Sequence, residues 1–178
     1  MFYRKKKITS FIFALSVVLV LILFDQFTKD LAVALLMNKE DAVLIPGVLQ
    51  FHYLENTGAA FSLLQGQQIL FAIMTPILIL FIIYMLFIMP RTKKFNILNY
   101  VLLFLIAGAI GNYIDRIINH YVVDFIYFSL IDFPVFNVAD CYVTVSVIVL
   151  FILVLFYYKD EDFEEIKKNI RIRKNGWI

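Results

Sequence analysis

FNVADCYVTVSVIVLFILVLFYY, residues Phe136–Tyr158, opens with two polar groups, Asn137 and Asp140, and carries no charge after them. A helix from Val138 to Tyr158, at 1.5 Å per residue, is long enough to cross the roughly 30 Å hydrocarbon core of a bilayer. An acid at the mouth of such a helix is costly beside lipid and marks a functional candidate. A second acid, in Val122-Val123-Asp124-Phe125, follows the preceding apolar segment. The two segments share an end, so Asp124 and Asp140 are expected at one depth and in one site.

Composition agrees with a membrane protein. The chain has 178 residues, 62% hydrophobic and 17% charged, well above the roughly 45–50% apolar usage of soluble domains. No Gly/Ser/Pro-rich linker and no internal repeat divides it, so a single membrane-embedded domain over residues 1–178 is expected. The net charge of +2 decides little. The basic residues flank apolar segments without forming a stripe interleaved with aromatics, which argues against nucleic acid.

Outward from the first stretch, three more spans follow. Arg4, Lys5, Lys6 and Lys7 precede the uncharged run Ile8–Phe24. No A-x-A-like cleavage site follows it, so it reads as an uncleaved first helix, continuing through Asp25 and Lys29 towards Met37. Asp25 and Lys29 share a helical face and can pair. The other spans are 69–89, with Pro76 as a place for a kink, and 97–116. Residues 159–178 form a charged tail, expected as a solvated helix. Between the first two spans, Val43–Leu64 reads as a small β element outside the lipid. It has a strand over Val48–Leu54, a turn at Asn56-Thr57-Gly58 and a return over Ala59–Ser62. Asn119–Pro134 reads as an interfacial loop. The fold class is therefore mainly α: a polytopic membrane protein of four transmembrane helices, a small extracytoplasmic β element and an interfacial loop or helix.

Lys and Arg gather at the N-terminus, at Arg91–Lys94 and in the tail; the opposite side has only Lys29, Lys39 and Arg116. The positive-inside rule puts both termini in the cytoplasm. The polar residues Asp25, Asn56, Asn112, Asp115, Arg116, Asp124, Asn137 and Asp140 then fall at or beyond the outer ends of their segments.

Two carboxylates within hydrogen-bond reach share a proton, so one can activate water while the other protonates a carbonyl or leaving amine. Residue patterning leaves other readings open. Asn137 and Asp140 also fit a capping box, and Asp124 fits a solvated loop. Asn112, Asp115 and Arg116 share one helical face. Asp115 reads best as a structural ion pair, while Arg116 suits a lipid phosphate or a substrate carbonyl. Asn56 suits a substrate backbone or a turn with a left-handed Asn. Asp25 is a third acid for the site or the partner of Lys29. Ala107, Gly108 and Gly111 suit close helix approach. The single Cys141 excludes an internal disulfide and has no histidine in a fixed relation to it, which disfavours a thiol protease. Neither His52 nor His120 sits in a zinc motif, so no metal and no cofactor are expected.

Five stretches taken together resemble the signal peptidase II (lipoprotein signal peptidase) family of aspartyl intramembrane proteases. They are Asp25-Gln26-Phe27-Thr28-Lys29, Asn56-Thr57-Gly58-Ala59-Ala60-Phe61, Gly111-Asn112-Tyr113-Ile114-Asp115-Arg116, Val122-Val123-Asp124-Phe125 and Phe136-Asn137-Val138-Ala139-Asp140. One departure is Asn119-His120, where a glycine turn is expected. The resemblance implies that Asp124 and Asp140 are catalytic, and that Asp25, Lys29, Asn56, Gly58, Asn112, Arg116, Asn137 and Ala139 line or support the site. It implies a prolipoprotein substrate bearing diacylglyceryl on its lipobox cysteine, cleaved before that cysteine in the bacterial cytoplasmic membrane. Globomycin, a cyclic peptide, would be an inhibitor; the chain would work as a monomer among membrane lipid. The β element and the Asn119–Pro134 loop would shield the site from bulk water. A small proton-coupled transporter or channel is the alternative, since membrane acids also serve proton relays; a non-catalytic scaffold is a third reading.

Overall fold

A computed structural model describes residues 2–58 and 66–175. In chain order its main elements are α1 (Phe2–Leu36), β1 (Ala42–Ile45), β2 (Leu49–Asn56), α2 (Gln68–Ile88), α3 (Asn96–Ile118), β3 (Val122–Tyr127), α4 (Val138–Ile152) and α5 (Asp160–Asn175). Four candidate spans emerge, at Ile12–Leu36, Gln68–Ile88, Lys93–Ile118 and Val138–Tyr157. The fourth ends in a π-helical turn, Leu153–Tyr157. The protein is thus a multi-pass membrane protein, mainly helical, with a small sheet.

The bundle is built around α3, which packs against α1, α2 and α4. Its glycines are needed for that approach. A Cβ on Gly108 would stand 2.6 Å from the Ala139 carbonyl oxygen, and one on Gly111 would stand 2.5 Å from Asp25 Oδ2. α2 runs unbroken through Pro76 and is the least enclosed span.

α1 is one helix of 35 residues, about 52 Å at 1.5 Å per residue and so longer than the hydrocarbon is thick. Its last turns carry the sheet: Ala32 and Leu36 pack against Val123 and Phe125, with Phe51 and Tyr53 alongside.

The sheet differs from the expected β element. Its order is β1-β2-β3, antiparallel throughout. The β1–β2 hairpin closes at Pro46-Gly47, a turn expected from the Pro-Gly pair, and Gly47 takes φ +69°. The third strand is Val122–Tyr127, inside the stretch read as an interfacial loop. Its first four residues are buried. Side chains alternate along a strand, so Val123 and Phe125 face α1 while Asp124 faces away from it. The return strand expected over 59–62 lies outside the described residues.

Between α3 and β3 the chain turns at His120, with φ +66°. The turn uses the left-handed backbone that a glycine would adopt freely, so the turn expected here forms on a histidine. After β3, the bonds Phe136 N to Ile126 O (3.0 Å) and Ile126 N to Phe136 O (2.8 Å) lay Phe136 on the free edge of β3. Phe128 and Phe133 pack on the Phe136 ring and hold the intervening loop.

The tail is a helix, as expected, but only one face is solvated. Ile166 and Ile170 join the core between α2, α3 and α4. Lys94 Nζ pairs with the buried Asp162 at 2.6 Å, and Asn169 Nδ2 donates to the Ile88 carbonyl at 2.7 Å.

Candidate active site

The site forms where the end of α3, the start of α4 and strands β2 and β3 meet. Asp124 is set by sheet register: Asn56 ends β2 opposite Val122, so its amide reaches diagonally to Asp124 on the same face. Asn56 Nδ2 donates to Asp124 Oδ2 at 2.7 Å. Its Oδ1 accepts the Gly58 amide at 2.9 Å, an Asx turn, and Asn56 is not among the left-handed residues. The turn expected here is present, but the left-handed Asn is not.

Asp140 is set by the first turn of α4. Asn137 Oδ1 accepts the Asp140 amide at 3.0 Å, and Asp140 Oδ2 accepts the Asn137 amide at 3.2 Å. That is a full capping box. It leaves Asp140 Oδ1 for Asn112 Nδ2, at 2.7 Å. Capping and a place in the polar site are therefore not alternatives for Asp140: one oxygen serves each.

Asn137, wholly buried, joins the two acids. Its Nδ2 donates to Asp124 Oδ1 at 2.7 Å and to Asn112 Oδ1 at 3.0 Å. Asp124 and Asp140 line one cavity of about 80 Å³ with Asn56, Asn112, Arg116, Val122, Pro134 and Val135. That is polar enough and roomy enough for water. Asp124 is only 1% exposed, so the solvated-loop reading fails. Burial, and then the charge of Asp140, push its carboxyl up to about 7, against the pull of the Asn56 and Asn137 amides.

Behind the cavity lies a second polar layer. Lys29 Nζ pairs with Asp25 and with Asp115, each at 3.0 Å, and donates to Asn112 Oδ1 at 2.9 Å. Asp25 Oδ1 accepts the Ala139 amide at 2.8 Å, and Asp115 Oδ2 accepts the Val123 amide at 3.1 Å. One acid thus pins the start of α4 and the other the start of β3. Asp25 and Lys29 do not line the cavity; they support it. The role of Ala139 is its backbone amide. Gln26, which spacing did not single out, closes the layer by donating to Asp115 Oδ1 at 3.0 Å and to the Gly111 carbonyl at 3.2 Å.

Arg116 leans over the Phe71 ring, 4.6 Å from its centroid. It donates to the Gly58 and Asn112 carbonyls, each at 3.3 Å. Gly58 contributes a carbonyl that holds the arginine at the cavity wall. Among the described residues no group of three or more His, Cys, Asp or Glu is placed to hold a metal.

The family profile of signal peptidase (SPase) II, peptidase A8, matches residues 17–156. The chain belongs to the signal peptidase II family. It is therefore an aspartic-type peptidase of the membrane. A lipoprotein signal peptidase of Streptococcus pyogenes serotype M5 (strain Manfredo) is 42% identical over 152 residues, covering 85% of this chain and 96% of that one. Another, from serotype M3 (strain ATCC BAA-595 / MGAS315), is 41% identical over the same length. Two solved structures, each titled as a bacterial membrane enzyme determined by the in meso method, superpose with a TM-score of 0.69. They are 30% and 31% identical and cover 83% and 82% of this chain, and 92% and 94% of their own. The transporter reading finds no support in this signal peptidase.

Proposed function

We propose that Asp124 and Asp140 are the catalytic pair of this signal peptidase, and that its substrate is a prolipoprotein carrying diacylglyceryl on the cysteine after the scissile bond. The observation that carries the assignment is the single cavity lined by both carboxylates, with one amide, Asn137, bridging them. Asp140 is the charged member, since its Oδ1 is held by Asn112, whose own oxygen faces the Lys29 ammonium. Asp124 is the protonated member.

Asp140 draws a proton from a water in the cavity, and the water oxygen attacks the carbonyl carbon before the cysteine. Asp124 passes its proton to the carbonyl oxygen, giving a neutral tetrahedral diol. When the diol collapses, its C–N bond breaks, Asp140 protonates the departing cysteine nitrogen, and Asp124 recovers a proton from a diol hydroxyl. The products are a signal peptide with a free carboxylate and a lipid-bearing cysteine with a free amine. Asn56, Asn112 and Asn137 hold the acids; Arg116, which lines the cavity and has N–H groups beyond the two given to the Gly58 and Asn112 carbonyls, takes substrate carbonyl groups.

The substrate's acyl chains stay in the bilayer while its cysteine reaches the cavity. The site lies at the outer face, with both termini and the tail 159–178 in the cytoplasm, because the basic residues gather at the opposite end of the bundle. Globomycin would occupy the same cavity. One chain supplies both acids, so a monomer suffices. The β1–β2 hairpin and, of the Asn119–Pro134 stretch, the residues after β3 act as a lid; hydrogen exchange that stays unchanged on inhibitor binding in both segments would reject that motion.

The test is cleavage of a diacylglyceryl-modified lipobox peptide by purified protein in detergent. Asp124→Asn and Asp140→Asn should each lose at least about 10³-fold in rate, within the range of general acid–base catalysis, and keep their helical content. Cys141→Ala should keep activity, and EDTA should not inhibit. Turnover in either aspartate variant rejects the pair.

A further inference from the structure

The tail helix α5 takes no part in the site above. It crosses the opposite end of the bundle, and its contacts give its path. Near its start Asp162 meets Lys94, before α3; further on Asn169 meets the Ile88 carbonyl; in its last turn the Arg173 guanidinium lies over the Phe87 ring, 4.4 Å from the centroid. Asp162, Ile166, Asn169, Ile170 and Arg173 recur at helical spacing and form the docked face.

Two features of the second half stand out. Phe87 belongs to α2, the least enclosed span, and is 49% exposed one residue before that helix ends. In a membrane such a ring faces acyl chains near the hydrocarbon boundary. The guanidinium stacked on it is therefore held at headgroup depth, and its Nε is buried without a hydrogen-bond partner. The charges of α5 are also segregated: Asp160, Glu161, Asp162, Glu164 and Glu165 come first, and Lys167, Lys168, Arg171, Arg173 and Lys174 follow with no acid among them. Acids early and bases late suit the helix dipole, while the basic side chains crowded on the last turns repel one another and favour a nearby anion. An ion pair among them, Lys167 with Glu164, is 61% and 67% exposed and contributes little.

We propose that the second half of α5 is a binding site for anionic phospholipid, with Arg173 taking a headgroup phosphate and Lys167, Lys168 and Arg171, on the face turned from the bundle, adding longer-range attraction to the charged leaflet. A guanidinium fork matches phosphate oxygens in a charge-assisted pair. Basic residues beside a span are drawn to an anionic surface by about fivefold each at low ionic strength.

The experiment uses the full chain in nanodiscs of phosphatidylcholine, with and without phosphatidylglycerol, and reads amide hydrogen exchange in α5. Phosphatidylglycerol should slow α5 exchange at least about tenfold and leave the amides of α3 around Ala107 unchanged; high salt should cancel the effect. Lys167→Gln/Lys168→Gln/Arg171→Gln, which leaves the docked face intact, should lose most of the response, and Arg173→Lys should lose part of it. Equal α5 exchange in the two discs, or a full response in the triple variant, overturns the proposal. So does inorganic phosphate reproducing the effect in phosphatidylcholine discs. If the triple variant's α5 is unprotected even in phosphatidylcholine, Arg173→Lys and the salt dependence of the natural chain decide the matter.

Discussion

The side-chain amide of Asn137 donates to Asp124 Oδ1 across 2.7 Å, while its backbone amide donates to Asp140 Oδ2 across 3.2 Å. One residue, sitting between a strand and a helix, therefore holds the acids of both. Asn137→Ala removes the helix cap, a loss of about 1 kcal/mol, and takes one of two donors from Asp124. The expected outcome is a folded protein with a modestly lower Tm and a kcat on lipidated peptide down by about 10²-fold. A kcat loss no larger than the Tm shift explains would mean that Asn137 only caps α4.

The pH profile should report Asp124. Its carboxyl is pushed up to about 7, chiefly by burial and then by Asp140. The proton is present below that value and lost above it, so kcat/KM should fall about tenfold per pH unit on the alkaline side. Asn56→Ala removes a donor that favours the charged form and should move that limb upward. Stability has the same origin and a definite sign. The ordinary aspartate value is about 3.9, so the folded state binds the proton more tightly, and stability is lost as pH rises from about 4 through 7. Asp124→Asn should therefore melt higher than the natural protein at about pH 8 and converge with it near pH 4. A melting difference that does not change with pH would contradict the burial of an ionising acid.

Gly111 decides whether Asp25 can reach α4. A Cβ there would stand 2.5 Å from Asp25 Oδ2 and 3.3 Å from Ala139 Cβ. Gly111→Ala should cost about 1–3 kcal/mol in unfolding and pull Asp25 from the Ala139 amide, with activity falling alongside. Wild-type Tm and activity in this variant would show that α3 and α4 separate at little cost.

Lys29 holds two buried acids apart, with 3% of its side chain exposed and Asp25 and Asp115 at 0% and 3%. Lys29→Met leaves both acids without their cation and should cost about 3–5 kcal/mol. Adding Asp25→Asn to that variant should recover part of the loss, as a double-mutant cycle in thermal unfolding would show.

The spans were legible because hydropathy is local. Ile69–Met89 is apolar enough that no tertiary partner is needed to assign it, and the same holds for Val138–Tyr158. The i, i+4 pairing of Asp25 with Lys29 and the capping box at Asn137 were also readable, since each is closed by residues within one turn. β3 was not readable: Val122-Val123-Asp124-Phe125 is buried on both faces, so it lacks the polar alternation that marks a half-exposed strand. The docking of α5 was equally hidden. Asn169 and Arg173 look like surface residues until the Ile88 carbonyl and the Phe87 ring are placed beside them.

The order of apolar segments, by itself, determined how many helices cross the lipid and that the acids and amides gather at one end of them. Charge beside lipid is too costly for any other arrangement. Only the tertiary structure decided that Asp124 and Asp140 share a cavity. That depends on Phe136 bonding to Ile126 and on Asn56 lying across from Val122, and backbone pairing between distant stretches leaves no periodicity in the chain.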